Sequence, residues 1–121
     1  MHGFKLTFYT QQDRRHRGQS LGTWLLHTAR ELGIGGATLI GAAEGYGHDK
    51  KLRSVQFFEL SDQPIEVTMA LSETEAEQLF ARIKSEGLNI FYVLSPIEYG
   101  MSSERKPGTG TQTSEPSAPP Q

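Results

Sequence analysis

Near the start of the chain, Phe4, Leu6 and Phe8 alternate with Lys5, Thr7 and Tyr9. A period of two puts the apolar set on one face of a strand. The polar stretch 11–18 breaks that alternation. Leu21, Trp24, Leu25, Ala29 and Leu32 then recur at helical spacing. Ser20 precedes them as an N-cap, because its hydroxyl can accept a bond from a free amide of the first turn. Gly33 ends the helix, as a residue tolerant of positive φ does. Trp24 lies on the buried stripe and reads as core, not as a ligand platform.

Residues 37–43 are a short apolar run with Thr38, Leu39 and Ile40, and predict a second strand. Residues 44–51 have no apolar periodicity and read as a loop. Residues 55–60 are a strand candidate. Ile65, Val67, Met69 and Leu71 alternate with Glu66, Thr68 and Ala70 and predict a clear strand. Ser61, Asp62, Gln63 and Pro64 separate these two runs as a turn or bulge. Ser72 and Glu75 have the spacing of a capping box. Ala76, Leu79, Phe80 and Ile83 form the buried stripe of a second helix, which Gly87 ends. Residues 90–94 are a last apolar strand, closed by Pro96.

The order is strand, helix, strand, strand, helix, strand. It predicts an α+β, ferredoxin-like βαββαβ fold: a four-stranded antiparallel sheet with two helices on one face. The strands also carry apolar residues on both faces, as in Phe57-Phe58 and Ile90-Phe91-Tyr92-Val93. Two helices cannot cover both faces, so an oligomer packing sheet against sheet is expected. The domain is placed at residues 1–100. From Ser102 the composition changes, with Pro107, Pro116, Pro119 and Pro120 among Gly, Ser and Thr. Residues 101–121 are expected to be a disordered tail, lacking the apolar area to offset ordering entropy.

At 121 residues the chain has room for one ordinary domain. It contains no cysteine, which excludes disulfides, thiolate metal sites and cysteine nucleophiles. A net charge of −2 does not mark a nucleic-acid binder. No apolar run nears the roughly 18 residues of a membrane span, and no signal-peptide pattern opens the chain. A cytoplasmic protein is expected. Of the 12 Lys and Arg, Arg14, Arg15, Arg17, Lys50, Lys51 and Arg53 fall in two loop segments. Such runs are usually solvated surface charge; the sharper alternative is an anion site. His2, His16, His27 and His48 have no metal-ligand spacing. No nucleophile elbow or acid–base pair is visible, so no enzyme is expected and no catalytic residue is assigned.

The segment from Gly33 through Thr38 to Glu44-Gly45-Tyr46-Gly47 resembles the part of PII signalling proteins that leaves the first helix and enters the T-loop. There a Gly-aromatic-Gly motif opens the loop. The stretch Phe58-Glu59-Leu60 through Ile65-Glu66-Val67 to Ser72 is similar to the PII strand that leads into its second helix. With Gly18-Gln19-Ser20-Leu21 and the Arg-rich first loop, the chain is identified as resembling the PII-like family known as domain of unknown function one-ninety, over roughly residues 3 to 98. The resemblance implies a homotrimer that binds adenine nucleotides in clefts between subunits and reports through the T-loop to a partner protein, an enzyme, transporter or channel. It places Thr38 near an adenine edge, and Gly45 and Gly47 where backbone approaches ligand.

PII proteins hold phosphates with a Gly-rich loop between the second helix and the last strand. Here that connection is Ser85-Glu86-Gly87-Leu88-Asn89, with one glycine and no lysine. Cradling a triphosphate needs several small residues in succession. The expected ligand is therefore a smaller anion such as ADP or AMP. Arg14, Arg17, Lys50, Lys51 and Arg53 supply positive charge, and Glu44 and Tyr46 sit at the loop entrance. Arg105-Lys106 lies where PII chains carry C-terminal arginines that reach a neighbour's ligand. The alternative is a metal-binding trimer resembling the copper-tolerance proteins.

Overall fold

The computed structural model describes residues 1–41, 44–46, 52–54 and 63–106. The opening alternation is strand β1 (His2–Gln11). A small hairpin follows, of β2 (Arg15–His16) and β3 (Gln19–Ser20), with Arg15 opposite Ser20 and His16 opposite Gln19. Polar strands this short leave no burial pattern in the sequence, so the segment reads there only as a break.

Helix α1 (Leu21–Glu31) starts at Ser20, whose hydroxyl accepts from the Thr23 amide. It ends at Gly33, φ 79°, where the Gly33 amide donates to Arg30 O and the Ile34 amide to Ala29 O. That pair of bonds is a Schellman closure, and only glycine takes its left-handed residue without strain. Helix α2 (Glu73–Ser85) has the predicted capping box and the same closure at Gly87, with Gly87 N–H to Lys84 O and Leu88 N–H to Ile83 O.

Strand β4 (Ala37–Gly41) lies between the helices in sequence, followed by β5 (Glu44–Tyr46) and β6 (Leu52–Ser54). These last two pair antiparallel as a ribbon, Gly45 opposite Arg53. The expectation of a plain loop over 44–51 is corrected at its first three residues, because backbone pairing across a ribbon needs no apolar periodicity. The strand candidate at 55–60 lies outside the described residues. Strand β7 (Pro64–Leu71) and strand β8 (Phe91–Glu98) complete the set, with a short 3-10 turn at Ser102–Glu104. Pro96 does not close β8; it pairs opposite Phe4 within the strand. An edge strand can hold a proline, since its nitrogen can face away from the ladder.

The main sheet is antiparallel with order β4-β7-β1-β8. Leu6 and Phe8 of β1 share a face with Ile65, Val67, Met69 and Leu71 of β7, and both helices pack there. Leu21, Trp24, Leu25 and Ala29 come from α1, and Ala76, Leu79 and Ile83 from α2. This is the predicted ferredoxin-like fold, with Trp24 in its core. Among the described residues no helix is long and apolar enough to cross a membrane.

The opposite face carries no helix. Its residues include Tyr9, Ile40, Phe91 and Val93, all exposed. Their rows follow from register: Thr38 opposite Thr68, Thr68 opposite Thr7, Thr7 opposite Val93. The hydroxyls of Thr7 and Thr68 are 3.1 Å apart.

Two substitutions test the core. Leu79 is fully buried, so Leu79→Ala is expected to cost about 2–5 kcal/mol in urea unfolding. A Cβ on Gly3 would collide with the Leu71 carbonyl oxygen and come within 2.6 Å of the Tyr99 ring. Gly3→Ala is expected to cost about 1–3 kcal/mol by the same measurement.

Candidate functional site

Three connections leave the sheet at one end. Gln11 stands opposite Pro64, Gly41 opposite Ile65, and Tyr9 opposite Phe91. The first loop follows Gln11, the segment from 42 to 62 follows Gly41, and the turn after α2 delivers the chain to Phe91. The first and second are tied by the Gln12 amide donating to Gln63 O, 2.9 Å. The sequence separates these segments by dozens of residues, and the antiparallel order brings them together.

The first loop is anchored on the end of α2. Arg17 donates from Nε to Glu86 Oε1 at 2.6 Å and from Nη2 to Glu86 Oε2 at 3.1 Å. His16 Nε2 lies 2.8 Å from Glu86 Oε1. Arg14 donates from Nη2 to the Asn89 carbonyl, 2.7 Å, and its own carbonyl accepts the Leu21 amide. Arg15 donates to Gly18 O across the hairpin. The His16 ring meets Trp24 edge to face, with centroids 5.0 Å apart. The loop therefore touches both helices.

A carboxylate receiving a forked guanidinium and an imidazole is stabilised in its charged form. The Glu86 carboxyl is accordingly lowered from 4.5 to about 2, by the Arg17 hydrogen bond first and the His16 bond second. Arg17 in turn is raised, through the same hydrogen bond and the charge of Glu86.

Of the residues singled out in the sequence, Arg14 and Arg17 are brought to this end of the sheet. Both are engaged within the chain, Arg14 by Asn89 and Arg17 by Glu86. Thr38 is exposed on edge strand β4, on the face without helices, three residues before Gly41. Glu44, Gly45 and Tyr46 form β5 and Arg53 is in β6, so both ends of the ribbon are paired backbone. Gly47, Lys50 and Lys51 lie outside the described residues. Arg105 ion-pairs with Glu98 at the far end of β8. Glu86 and His16 are the residues that sequence reasoning missed. They are 70 positions apart, so no local spacing marks them; a carboxylate at a helix C-terminus, against the macrodipole, was the available signal.

The pH dependence has a defined sign. Glu86 is depressed in the folded chain, so its contribution is complete above about 4.5 and is lost as pH falls through about 2. Urea midpoints measured from pH 7 to pH 2 are expected to fall across that window. Glu86→Gln is expected to be less stable at pH 7 and to lose part of the slope between about 4.5 and 2.

Comparison with known proteins places this architecture. The family model DUF190, described as an uncharacterized ACR, matches residues 3–98. A UPF0166 protein of Aquifex aeolicus (strain VF5) is 32% identical over 82 residues, covering 67% of this chain and 78% of that relative. A PII-like signalling protein from Thermus thermophilus is similar in structure with a TM-score of 0.59 at 18% identity, over 80% of this chain and 88% of that one. CPII, a nitrogen regulatory PII-like protein from Thiomonas intermedia K12 bound to ADP, AMP and bicarbonate, has a TM-score of 0.59 at 20% identity, over 84% of this chain and 91% of its own. The chain belongs to the DUF190 family and has the PII-like ferredoxin fold.

Proposed function

We propose that this protein is a PII-like regulatory protein, not an enzyme, which acts in the cytoplasm. It assembles as a homotrimer and takes a small anionic ligand, an adenine nucleotide such as ADP or AMP, in clefts between subunits. The segment 44–53 transmits the ligand state to a partner protein, an enzyme, transporter or channel. Thr38 meets the adenine edge of that ligand, and Gly45 and Gly47 allow backbone to approach it. Arg14, Arg17, Lys50, Lys51 and Arg53 supply the positive field, with Glu44 and Tyr46 at its entrance.

The observation that carries this reading is the incomplete burial of the sheet. Phe91 is 51% exposed and Val93 47% exposed on edge strand β8, beside Tyr9 on the helix-free face. The Tyr9 and Phe91 rings lie 5.8 Å apart, centroid to centroid. A contiguous apolar edge of this kind is stable when another chain covers it. Assembly through β8 sets subunits side by side, so the connections at the end of one sheet meet a neighbour. CPII, which shares the fold, is described with ADP, AMP and bicarbonate bound, and that likeness supports the ligand class. No observation among the described residues favours the metal-binding alternative.

Two measurements test the reading. ADP or AMP, with and without bicarbonate, is expected to raise the melting temperature in proportion to the logarithm of its concentration. At a hundredfold excess over Kd the gain is about 2.7 kcal/mol, worth several degrees in a domain of this size. No rise with either nucleotide overturns the ligand assignment. Light scattering is expected to give three chains at micromolar concentration, and Val93→Lys, which puts charge into the apolar edge, is expected to give monomers. A native monomer overturns the inter-subunit cleft.

A further inference from the structure

Arg17 is the one non-glycine residue with positive φ among the described residues, at 52°. A β-carbon in that region crowds the backbone, so arginine is retained there against a conformational cost. What the conformation achieves is visible in its contacts. In this conformation Nε donates to Glu86 Oε1 and Nη2 to Oε2, while His16 Nε2 also meets Oε1. Such a fork with one added donor is the arrangement that proteins use to receive a carboxylate or phosphate.

The group now seated in it is poorly placed on its own account. Glu86 is the C-cap residue of α2. The negative end of the helix dipole repels a carboxylate there, and the unmatched carbonyls of the last turn favour a cation. Arg82 and Lys84 lie in that last turn, but Arg82 is turned to Glu31 of α1. Glu86 is held by Arg17 and His16 against the preference of its own helix. Its side chain is 15% exposed and that of Arg17 66% exposed, so an incoming anion can reach the guanidinium without opening the core. The rest of the hairpin is fixed independently, Arg14 on Asn89 and Arg15 on Gly18.

We propose that Arg17 and His16 form a receptor for an oxyanion presenting two oxygens, a phosphate group, and that Glu86 is its internal, displaceable occupant. This rests on the reading above that the chain takes a small anion, and adds how access is regulated. An anion that enters the fork must eject Glu86, which breaks the ties of the α2 C-cap side chain to the first loop and leaves the Arg14 bond to Asn89 in place. His16 exchanges the Glu86 carboxylate for the phosphate at the same moment, which alters the charge and seating of the ring that meets Trp24 edge to face. Trp24 is the single tryptophan, so its emission reports the exchange. The phosphate can be free or carried by a nucleotide, and the two sources are separable by experiment.

Calorimetric titration of inorganic phosphate into the full chain tests this. Glu86→Ala is expected to bind phosphate at least tenfold more tightly than the native protein, and Glu86→Ala with Arg17→Ala to lose that gain. Equal affinity in native and Glu86→Ala protein, or a gain that survives without Arg17, overturns the proposal. A second readout needs no variant. Phosphate added to the native chain is expected to change Trp24 emission saturably, and unchanged emission up to saturating phosphate overturns the proposal as well. ADP titrated in parallel separates the two readings. A native chain that binds ADP while Glu86→Ala gains nothing for phosphate overturns the receptor and leaves the nucleotide assignment standing. A phosphate gain without any ADP binding supports the receptor, with free phosphate as its source, and overturns the nucleotide assignment.

Discussion

Strand β1 is paired along both edges, over eight register positions with β7 and eight with β8. That double pairing positions nearly everything else. It fixes Leu6 and Phe8 beneath the helices, and by alternation it commits Lys5, Thr7 and Tyr9 to the other side. Since β7 and β8 both run antiparallel to β1, their near ends lie beside the far end of β1. The first loop, the segment after β4 and the turn after α2 therefore emerge together. The gathering of basic residues at that end follows from strand order before any side chain makes a contact.

Helices on one face impose a second condition. The core between sheet and helices is closed by large aliphatic side chains and the Phe8–Phe80 ring pair. The remaining face is part hydroxyl, part apolar. Its threonine row is satisfied across strands, Thr7 to Thr68, while the edge near Phe91 stays open to solvent. That division puts the exposed apolar side chains along β8 and leaves the middle of the sheet polar.

The fold was largely legible because its signals are local. Ser20, Gly33, the Ser72–Glu75 pair and Gly87 each act within one helical turn, and the structure uses all of them as the chemistry of helix ends dictates. The alternation at 65–71 is likewise local and marks β7 correctly. What escaped was non-local or unpatterned. The hairpin at Arg15–Ser20 has no apolar face to betray it. Pro96 reads as a terminator because sequence does not reveal which strand lies at an edge. The Glu86 contacts join segments about 70 residues apart, and a sequence alone gives no reason to pair that carboxylate with Arg17 and His16 over any other cation. For the same reason Arg14 and Arg17 were legible as a basic loop and not as a loop already docked.

Pro96 within β8 also bears on how such an edge stays safe. Phe91, Tyr92, Val93 and Leu94 form four consecutive exposed hydrophobic positions on a strand at the end of the sheet, the type of segment that templates open-ended stacking of chains. A proline two residues further on interrupts the row of donors that a foreign strand would need. The strand can then lend its first half to a shape-matched neighbour while its second half refuses indiscriminate extension. A residue that looks like the end of a strand instead leaves a gap in the row of donors along this edge, which limits open-ended extension from that half of β8.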